Sequence, residues 1–145
     1  MATGRGESLT PIPFPSDLWV VLGLSYDPLL TRDVYAAWEP GDPDLEVGSA
    51  PMTLAMGAGD VPEVASLLHN DLEPAIFKLR PELEDKKHSL LEAGALGALV
   101  SGSGPTVYGI ARDKAHAESI AASVGRDFDE ALVLTTSKEC IERLG

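Results

Sequence analysis

A short run of small residues between two apolar segments is the part of this sequence best suited to bind a ligand. Gly102 and Gly104 tolerate positive φ angles, and they let a ligand approach the backbone because neither carries a Cβ. The run consists of Ser101, Gly102, Ser103, Gly104, Pro105 and Thr106. Its three hydroxyl groups surround the same opening. Two interpretations are open on spacing alone: a loop whose amides meet a phosphate or another anion, and a tight hairpin turn.

Two aromatic residues on a predicted short helix could bind a planar ligand. Tyr35 and Trp38 are three residues apart and follow shortly after Thr31. Aromatic side chains at such spacing usually pack against other elements, and they can also stack on a nucleobase. The residues themselves leave both interpretations open.

Acidic residues are plentiful, and most of the 23 are expected on solvated helix faces. Asp71 and Glu73 form the pair closest to a functional cluster, and we interpret them as helix-capping residues. The three histidines, His69, His88 and His116, fall on separate predicted helices with no partner at metal-ligand spacing. The sequence therefore predicts no metal site.

The composition is that of an ordinary globular domain. The 145 residues are 44% hydrophobic and 23% charged, which is enough to bury one core. No apolar run is long enough to cross a bilayer, and the N-terminus lacks the pattern of a secretory signal. The single cysteine, Cys140, cannot form an internal disulfide and fits a reducing compartment, so we expect a cytoplasmic protein.

The net charge of −12 restricts the classes of partner. Contacts to nucleic acid need clustered Lys and Arg, and an anionic membrane surface would repel the chain in the same way. An anionic substrate meets this repulsion as well. If the glycine-rich run binds a phosphate, backbone N–H groups or a second, more basic domain must supply the positive potential.

The periodicity of apolar residues, together with the Gly, Pro and capping residues between the apolar runs, predicts an α+β domain. Runs of strand length cover residues 18–24, 96–101, 106–111 and 128–136. Helical patterns cover residues 32–38, 61–70, 81–93 and 114–124, and another helix restarts after residue 70. Residues 39–51, rich in Pro, Gly and Asp, are predicted to form a loop. The expected N-caps are Thr31, Asp60, Asp71 and Asp113. This order favours a ferredoxin-like sandwich, in which helices lie on one face of a four-stranded antiparallel sheet.

The segment Val100–Tyr108, which contains the glycine-rich run, resembles the third conserved motif of the GHMP kinases. This superfamily is named for galactokinase and for homoserine, mevalonate and phosphomevalonate kinases. Three further segments are similar in order and spacing to the 4-diphosphocytidyl-2-C-methyl-D-erythritol kinases within it, namely Gly4–Glu7, Leu30–Tyr35 and Asn70–Pro74. The resemblance extends over nearly the whole chain, and the four segments together are more specific than the third motif alone.

The resemblance implies that the chain is one domain of a larger enzyme. Such kinases have two domains, and the N-terminal one carries a Gly-Gly-Gly-Ser-Ser phosphate-binding loop together with the catalytic Lys and Asp. None of these lies in the 145 residues. Residues 1–16 are then an extended segment at the domain junction, and residues 17–145 are the C-terminal domain. We therefore expect no catalytic residue here and no activity from this chain alone.

The resemblance also implies a substrate and a reaction. The complete enzyme would use ATP and Mg²⁺ to phosphorylate the 2-hydroxyl of 4-diphosphocytidyl-2-C-methyl-D-erythritol, a step of non-mevalonate isoprenoid synthesis. Thr31 and Tyr35 match positions in the substrate pocket, where the aromatic ring stacks on the cytosine. The glycine-rich run would face the cleft between the domains. We expect neither ATP nor Mg²⁺ to bind this chain by itself.

Two other hypotheses stay open. The chain could be a stand-alone ferredoxin-like binding or regulatory module, or the C-terminal domain of a homoserine or mevalonate kinase. The segments Thr31–Tyr35 and Asn70–Glu73 argue against the latter. Residues 26–30 depart from the family pattern, which leaves the register of the pocket wall open. A face that packs on a catalytic domain would be exposed in this chain, which predicts self-association.

Overall fold

The structure is a computed structural model, and it describes residues 2–3, 8–9, 12, 14, 17–40 and 49–136. The expectations for Gly4–Glu7, for Cys140 and for most of residues 1–16 fall outside the described residues. The same holds for residues 41–48 of the predicted loop. Among the described residues, no helix is long and apolar enough to cross a membrane.

The described part of the chain contains six strands and six helices. The strands are β1 (Ala2–Thr3), β2 (Ser8–Leu9), β3 (Trp19–Leu24), β4 (Gly97–Val100), β5 (Val107–Ala111) and β6 (Glu130–Thr135). The helices are α1 (Thr31–Ala37), α2 (Ser49–Ala58), α3 (Val61–Ser66), α4 (Glu73–Leu79), α5 (Glu82–Glu92) and α6 (Lys114–Val124). The short strands β1 and β2 pair with each other, and the other four form the main sheet.

The main sheet is antiparallel throughout and has the strand order β4-β5-β3-β6. Its central strand β3 places Val21 opposite Gly109 of β5 and opposite Val133 of β6. This order is the one in which a β-α-β-β-α-β chain forms a split βαβ fold. The predicted α+β class and the four-stranded antiparallel sheet are confirmed.

The main core lies between one face of this sheet and the helices α1, α4, α5 and α6. β5 shows the alternation of a strand with two covered faces, because Val107 and Ala111 enter this core whereas Ile110 belongs to a cluster on the other face. Val34 of α1 and Ile76 of α4 are completely buried. Each such burial contributes about 1.5–3 kcal/mol. The core therefore fixes the two helices that carry candidate site residues.

Two short helices cover part of the opposite face of the sheet. Ala55 of α2 and Val64 and Ala65 of α3 form a second apolar cluster with Ile110. The expectation that helices lie on one face holds for α1, α4, α5 and α6, and the structure adds α2 and α3 on the other. The second cluster has no counterpart in the sequence-based prediction.

The predicted loop over residues 39–51 is wrong at its C-terminal end. Helix α2 begins at Ser49 and includes Pro51 in its first turn. A proline is tolerated there because its missing N–H would have no partner within the helix. The Pro- and Gly-rich composition of residues 39–51 therefore predicted a loop where the first residues of α2 lie.

Two of the four predicted helix caps are confirmed. The carboxylate of Asp60 accepts a hydrogen bond from the amide of Glu63 at 3.1 Å. The carboxylate of Asp113 accepts one from the amide of His116 at 2.8 Å. Each cap joins residues three apart in sequence, so a local pattern is sufficient to predict it.

The caps predicted at Thr31 and Asp71 are wrong. Leu30 and Leu72 occupy the N-cap positions of α1 and α4, and neither helix start has a side-chain cap. The side chain of Asp71 lies 2.7 Å from the ring of His69, and the hydroxyl of Thr31 has a partner outside its own helix. In both cases another contact competes successfully with the local capping bond.

The close approach of α3 to β4 makes Gly97 a test of packing on the second face. A Cβ at Gly97 would collide with the backbone carbonyl oxygen of Ala65, which cannot rotate away as a side chain can. We expect Gly97→Ala to lower the free energy of unfolding by about 1–3 kcal/mol, the usual cost of overpacking. Urea denaturation followed by circular dichroism measures this change.

The matched control for this substitution is Gly57→Ala. Gly57 lies within α2, and a Cβ there would meet nothing within 4 Å. Because alanine favours a helix over glycine, we expect this variant to be unchanged or stabilised by about 0.5–1 kcal/mol. Equal unfolding free energies for the two variants would contradict the described packing of α3 on β4.

Candidate functional site

The glycine-rich run forms the tight connection between β4 and β5. The amide of Ser101 donates to the carbonyl of Thr106 at 2.8 Å, and the amide of Gly104 donates to the carbonyl of Ser101 at 2.9 Å. Gly102 and Gly104 have φ angles of 56° and 77°, as their residue type predicts. The backbone of the loop therefore has the conformation of a hairpin turn, as one of the two interpretations predicts.

The same loop keeps backbone donors free to meet a ligand. Within the described residues, the amides of Gly102 and Ser103 donate to no acceptor. Gly102 is exposed, and Ser103 is partly exposed. Consecutive amides around a residue with positive φ form the kind of concave donor pair that binds anions. The hairpin interpretation and the anion-binding interpretation are thus compatible.

The loop contacts the start of α1 through a pair of hydroxyl groups. The hydroxyl oxygens of Thr31 and Ser103 are 2.8 Å apart, across 72 positions in sequence. This contact explains why Thr31 does not cap α1. The contact also connects Thr31, which the resemblance places in the substrate pocket, to the glycine-rich loop.

A side-chain amide holds the loop from the other side. Asn70 donates from Nδ2 to the carbonyl oxygen of Val100 at 2.9 Å and to that of Gly102 at 2.8 Å. Its Oδ1 accepts a hydrogen bond from the amide of Leu72 at 3.0 Å. Asn70 therefore connects the segment before α4 to the glycine-rich loop.

Glu73 is a buried carboxylate that sequence reasoning did not single out for this role. The residue is 9% exposed, and its Oε1 accepts a hydrogen bond from the amide of Val100 at 2.9 Å. Its Oε2 lies 2.6 Å from Nζ of Lys87 on α5. Burial, and then the negative charge of Glu73, raise the pKa of Tyr108. A local sequence pattern cannot reveal these partners of Glu73, because Val100 is 27 residues away from it in the sequence.

Asn70 and Glu73 together form a clamp on the start of the glycine-rich loop. Beside this clamp lies a cleft bordered by Tyr35 of α1 and by Trp38, which directly follows that helix. The cleft has a volume of about 400 Å³ and is lined by Tyr35, Trp38, His69, Asn70, Asp71 and Leu72. The ring of Tyr35 is 60% exposed, so it is available to a ligand. Tyr35 lies one helical turn from Thr31 on α1, and Thr31 contacts the glycine-rich loop, whereas neither Thr31 nor the loop lines this cleft.

The turn before α1 is fixed by charged contacts. Arg80 pairs with Asp27 at 3.1 Å and also with Glu82. Burial raises the pKa of the Glu82 carboxyl, but the hydrogen bonds to it and the positive charges of Arg80 and Lys86 together lower that pKa overall. On the other side, the hydroxyl of Tyr26 donates to Glu130 at 2.7 Å, and this bond raises the pKa of Tyr26. These contacts tie the turn that precedes α1 to α5's N-terminal region on one side and to β6 on the other.

The described residues contain no group of three or more His, Cys, Asp or Glu side chains placed to hold a metal ion. His69 is paired with Asp71 and lies outside the helices, whereas we expected it on one.

Comparison with known families decides to which group the fold and the loop belong. A family model described as GHMP kinases C terminal matches residues 52–130, which is more than half of the chain. The chain belongs to this family. The matched residues include Asn70, Glu73 and the whole glycine-rich loop, whereas Thr31 and Tyr35 precede them.

Among its relatives, this GHMP kinase C-terminal domain is 40% identical to the 4-diphosphocytidyl-2-C-methyl-D-erythritol kinase of Pelotomaculum thermopropionicum over 137 residues. That match covers 94% of this chain and 47% of the relative. The kinase of the same name from Gloeobacter violaceus is 40% identical over 128 residues, with 84% of this chain and 42% of the relative covered. The chain thus spans about half the length of the curated relatives it matches.

Solved structures share the fold. A crystal structure of 4-(cytidine 5'-diphospho)-2C-methyl-D-erythritol kinase superposes with a TM-score of 0.71 at 31% identity, covering 91% of this chain and 47% of that one. Homoserine kinase from Cytophaga hutchinsonii superposes with a TM-score of 0.72 at 23% identity, covering 88% and 44%. The second likeness shows the fold alone. The predicted GHMP kinase C-terminal fold is confirmed.

The hydrogen bonds of Asn70 provide a direct test of the clamp on the loop. Asn70→Asp removes both donors and places carboxylate oxygens against two carbonyl oxygens. We expect the free energy of unfolding to fall by about 1–3 kcal/mol, the cost of leaving such groups unpaired. Urea denaturation of the 145-residue chain measures this loss.

The neighbouring substitution Asp71→Asn serves as the control for stability. Asp71 is exposed and pairs with His69 at the surface, and such a pair contributes little. We expect this variant to stay within about 0.5 kcal/mol of the parent. A loss as large as that of Asn70→Asp would show that the loop contacts of Asn70 are not what stabilises this region.

Proposed function

We propose that this domain forms one wall of the catalytic cleft of a kinase that phosphorylates 4-diphosphocytidyl-2-C-methyl-D-erythritol on its 2-hydroxyl with ATP. The contact between Thr31 and Ser103 carries the proposal, because it ties α1, which contributes Tyr35 to the cleft, to the glycine-rich loop. The names of the relatives support the same substrate. A cytoplasmic location belongs to this proposal.

The cleft beside α1 suits the cytidine end of such a substrate. Tyr35 is 60% exposed, and Trp38 lines the same cleft. A base that stacks on an aromatic ring gains about 1–3 kcal/mol. The paired side chains of His69 and Asp71 at the cleft provide polar groups for the base edge or the ribose.

The glycine-rich loop suits a phosphate group of substrate or nucleotide. The chain carries a net charge of −12, so its overall field opposes an anion. The free amides of Gly102 and Ser103 offer local positive potential without any cationic side chain. Residues of this chain thereby orient a phosphate and exclude water, whereas a second domain must supply the positive side chains.

ATP and Mg²⁺ belong to that second domain in this proposal. The described residues hold no cluster of metal ligands, and the 145 residues contain no Gly-Gly-Gly-Ser-Ser segment. When bound, Mg²⁺ neutralises charge on the phosphoryl group that is transferred. Residues 17–145 would act as the C-terminal domain and contribute substrate binding rather than catalytic groups.

Tyr35 tests the stacking proposal. We attach this chain in frame to the N-terminal half of the Pelotomaculum thermopropionicum kinase and measure steady-state kinetics. Tyr35→Ala should raise KM for the cytidine substrate by about 5- to 150-fold, the equivalent of losing a stack worth about 1–3 kcal/mol. The value of kcat should change much less, because in this proposal the ring contacts the base and not the hydroxyl that reacts.

Tyr35→Phe is the matched control, because phenylalanine retains the ring and loses only the hydroxyl. Its KM should stay close to that of the parent. An unchanged KM in Tyr35→Ala would remove this residue from the site. A joined protein that phosphorylates homoserine or mevalonate in preference to the cytidine substrate would favour the hypothesis of another GHMP kinase.

The 145-residue chain by itself should have no kinase activity. Catalysis of phosphoryl transfer depends on positioning and charge neutralisation, and the groups for both lie mostly in the second domain of this proposal. We expect no ATP-dependent phosphorylation of the cytidine substrate in a radiometric assay, with the joined protein as positive control. Turnover by the isolated chain would contradict the division of roles.

The alternative of a stand-alone binding module has its own signature. Sedimentation velocity would then show dimers that form only when a cytidine diphosphate ligand is added. Self-association without ligand would instead agree with an apolar face that normally packs on a second domain.

A further inference from the structure

We infer that Asn70 and Glu73 are positioning residues that aim the amides of the glycine-rich loop. The inferred role of both residues runs through the backbone of Val100 and Gly102, although Asn70 also lines the cleft beside α1. The inference rests on the proposed function of this loop in a kinase cleft. Nothing in the resemblance assigned these two side chains a part in substrate binding.

The first observation concerns the edge of the sheet. β4 pairs with β5 alone among the described strands, so backbone groups on its outer side lack a strand partner. At Val100, its last residue, Glu73 accepts from the amide and Asn70 donates to the carbonyl, at 2.9 Å each. Two side chains thus replace a neighbouring strand at the position where the loop begins.

The second observation links this clamp to the ligand-binding amides. Nδ2 of Asn70 also holds the carbonyl oxygen of Gly102 at 2.8 Å. The carbonyl of Gly102 and the amide of Ser103 belong to one planar peptide unit and point in opposite directions. Fixing the carbonyl therefore aims the amide of Ser103 away from Asn70. The contact with Thr31 fixes the side chain of the same serine.

The third observation concerns the charge of the clamp. Glu73 places a carboxylate behind a loop that is proposed to receive an anion, and this negative charge would weaken binding if it stood alone. Lys87 lies 2.6 Å away, and both side chains are largely buried. The ion pair leaves the clamp neutral, so Glu73 can accept from Val100 without repelling a phosphate.

The first arm of the test measures the motion of the loop in the 145-residue chain. We record ¹⁵N order parameters in the parent and in Asn70→Asp. We expect values for Gly102 and Ser103 to fall from about 0.85, typical of rigid backbone, to below about 0.6. Val21 in the central strand should stay rigid. Unchanged values at the loop would overturn the inference.

A pair of double variants isolates the hydrogen bond to Val100 from the ion pair. Glu73→Gln with Lys87→Met removes both charges and keeps an oxygen that can accept from the amide of Val100. Glu73→Leu with Lys87→Met removes that acceptor as well. The loop should stay rigid in the first and become mobile in the second. Equal mobility in the two double variants would overturn the part assigned to Glu73.

The second arm measures catalysis in the protein joined to the N-terminal half of the relative. Asn70→Asp and Glu73→Leu with Lys87→Met should lower kcat by about 10- to 100-fold, as expected when a positioned group is misplaced. In Glu73→Leu with Lys87→Met, the KM for the cytidine substrate should change little, in contrast to Tyr35→Ala, because neither Glu73 nor Lys87 lines the cleft beside α1. Glu118→Gln, which breaks an exposed ion pair with Lys114 on α6, is the control and should leave both constants unchanged.

The two arms separate the failure of this inference from that of the proposed function. A mobile loop with unchanged kcat would overturn the inference while the kinase activity stands. A joined parent protein that folds and has no activity would contradict the proposed function. In that case the order parameters still decide whether Asn70 and Glu73 fix the loop.

Discussion

The carboxylate of Glu73 is buried beside the end of an edge strand, a position that demands both a positive partner and a backbone donor. Lys87 on α5 provides the charge, and Val100 provides the N–H. Because Glu73 begins α4, one side chain ties together α4, α5 and β4. Removing either partner would leave an uncompensated buried group, which costs about 3–5 kcal/mol for a broken buried pair. The hydrogen bond from Val100 to Glu73 therefore links the last residue of β4 to the first residue of α4.

In the proposed function, the surface next to Asn70 and Glu73 has to receive an anionic substrate although the chain itself is acidic. A net charge of −12 produces an overall field that opposes the binding of an anion. Peptide dipoles act at short range and carry no net charge, so loop amides can face a phosphate despite the overall field. The exposed ring of Tyr35 adds a contact that does not depend on charge. Both features suit a domain that shares its cleft with a more basic partner.

Several elements were predictable because their causes are local. The strands of the sheet and helices α5 and α6 follow from runs and periodicities of apolar residues, and Asp60 and Asp113 cap helices through residues three positions away. Thr31 and Asp71 show the limit of such patterns. Each has the residue type of a cap, but Ser103 and His69 engage their side chains instead. The start of α2 was missed because Pro51 is compatible with a loop and also with a first helical turn.

By itself, the sequence determined the glycine-rich loop, the class of the fold and the presence of an aromatic pair near Thr31, since each depends on residue type and short-range spacing. Tertiary structure alone decided what those residues contact. It placed Thr31 against Ser103, and it placed Asn70 and Glu73 against Val100. Such contacts join positions 27 to 72 residues apart, and chain periodicity carries no information about them. The glycine-rich loop therefore directly follows an edge strand, and the side chains of Asn70 and Glu73 hold it in place.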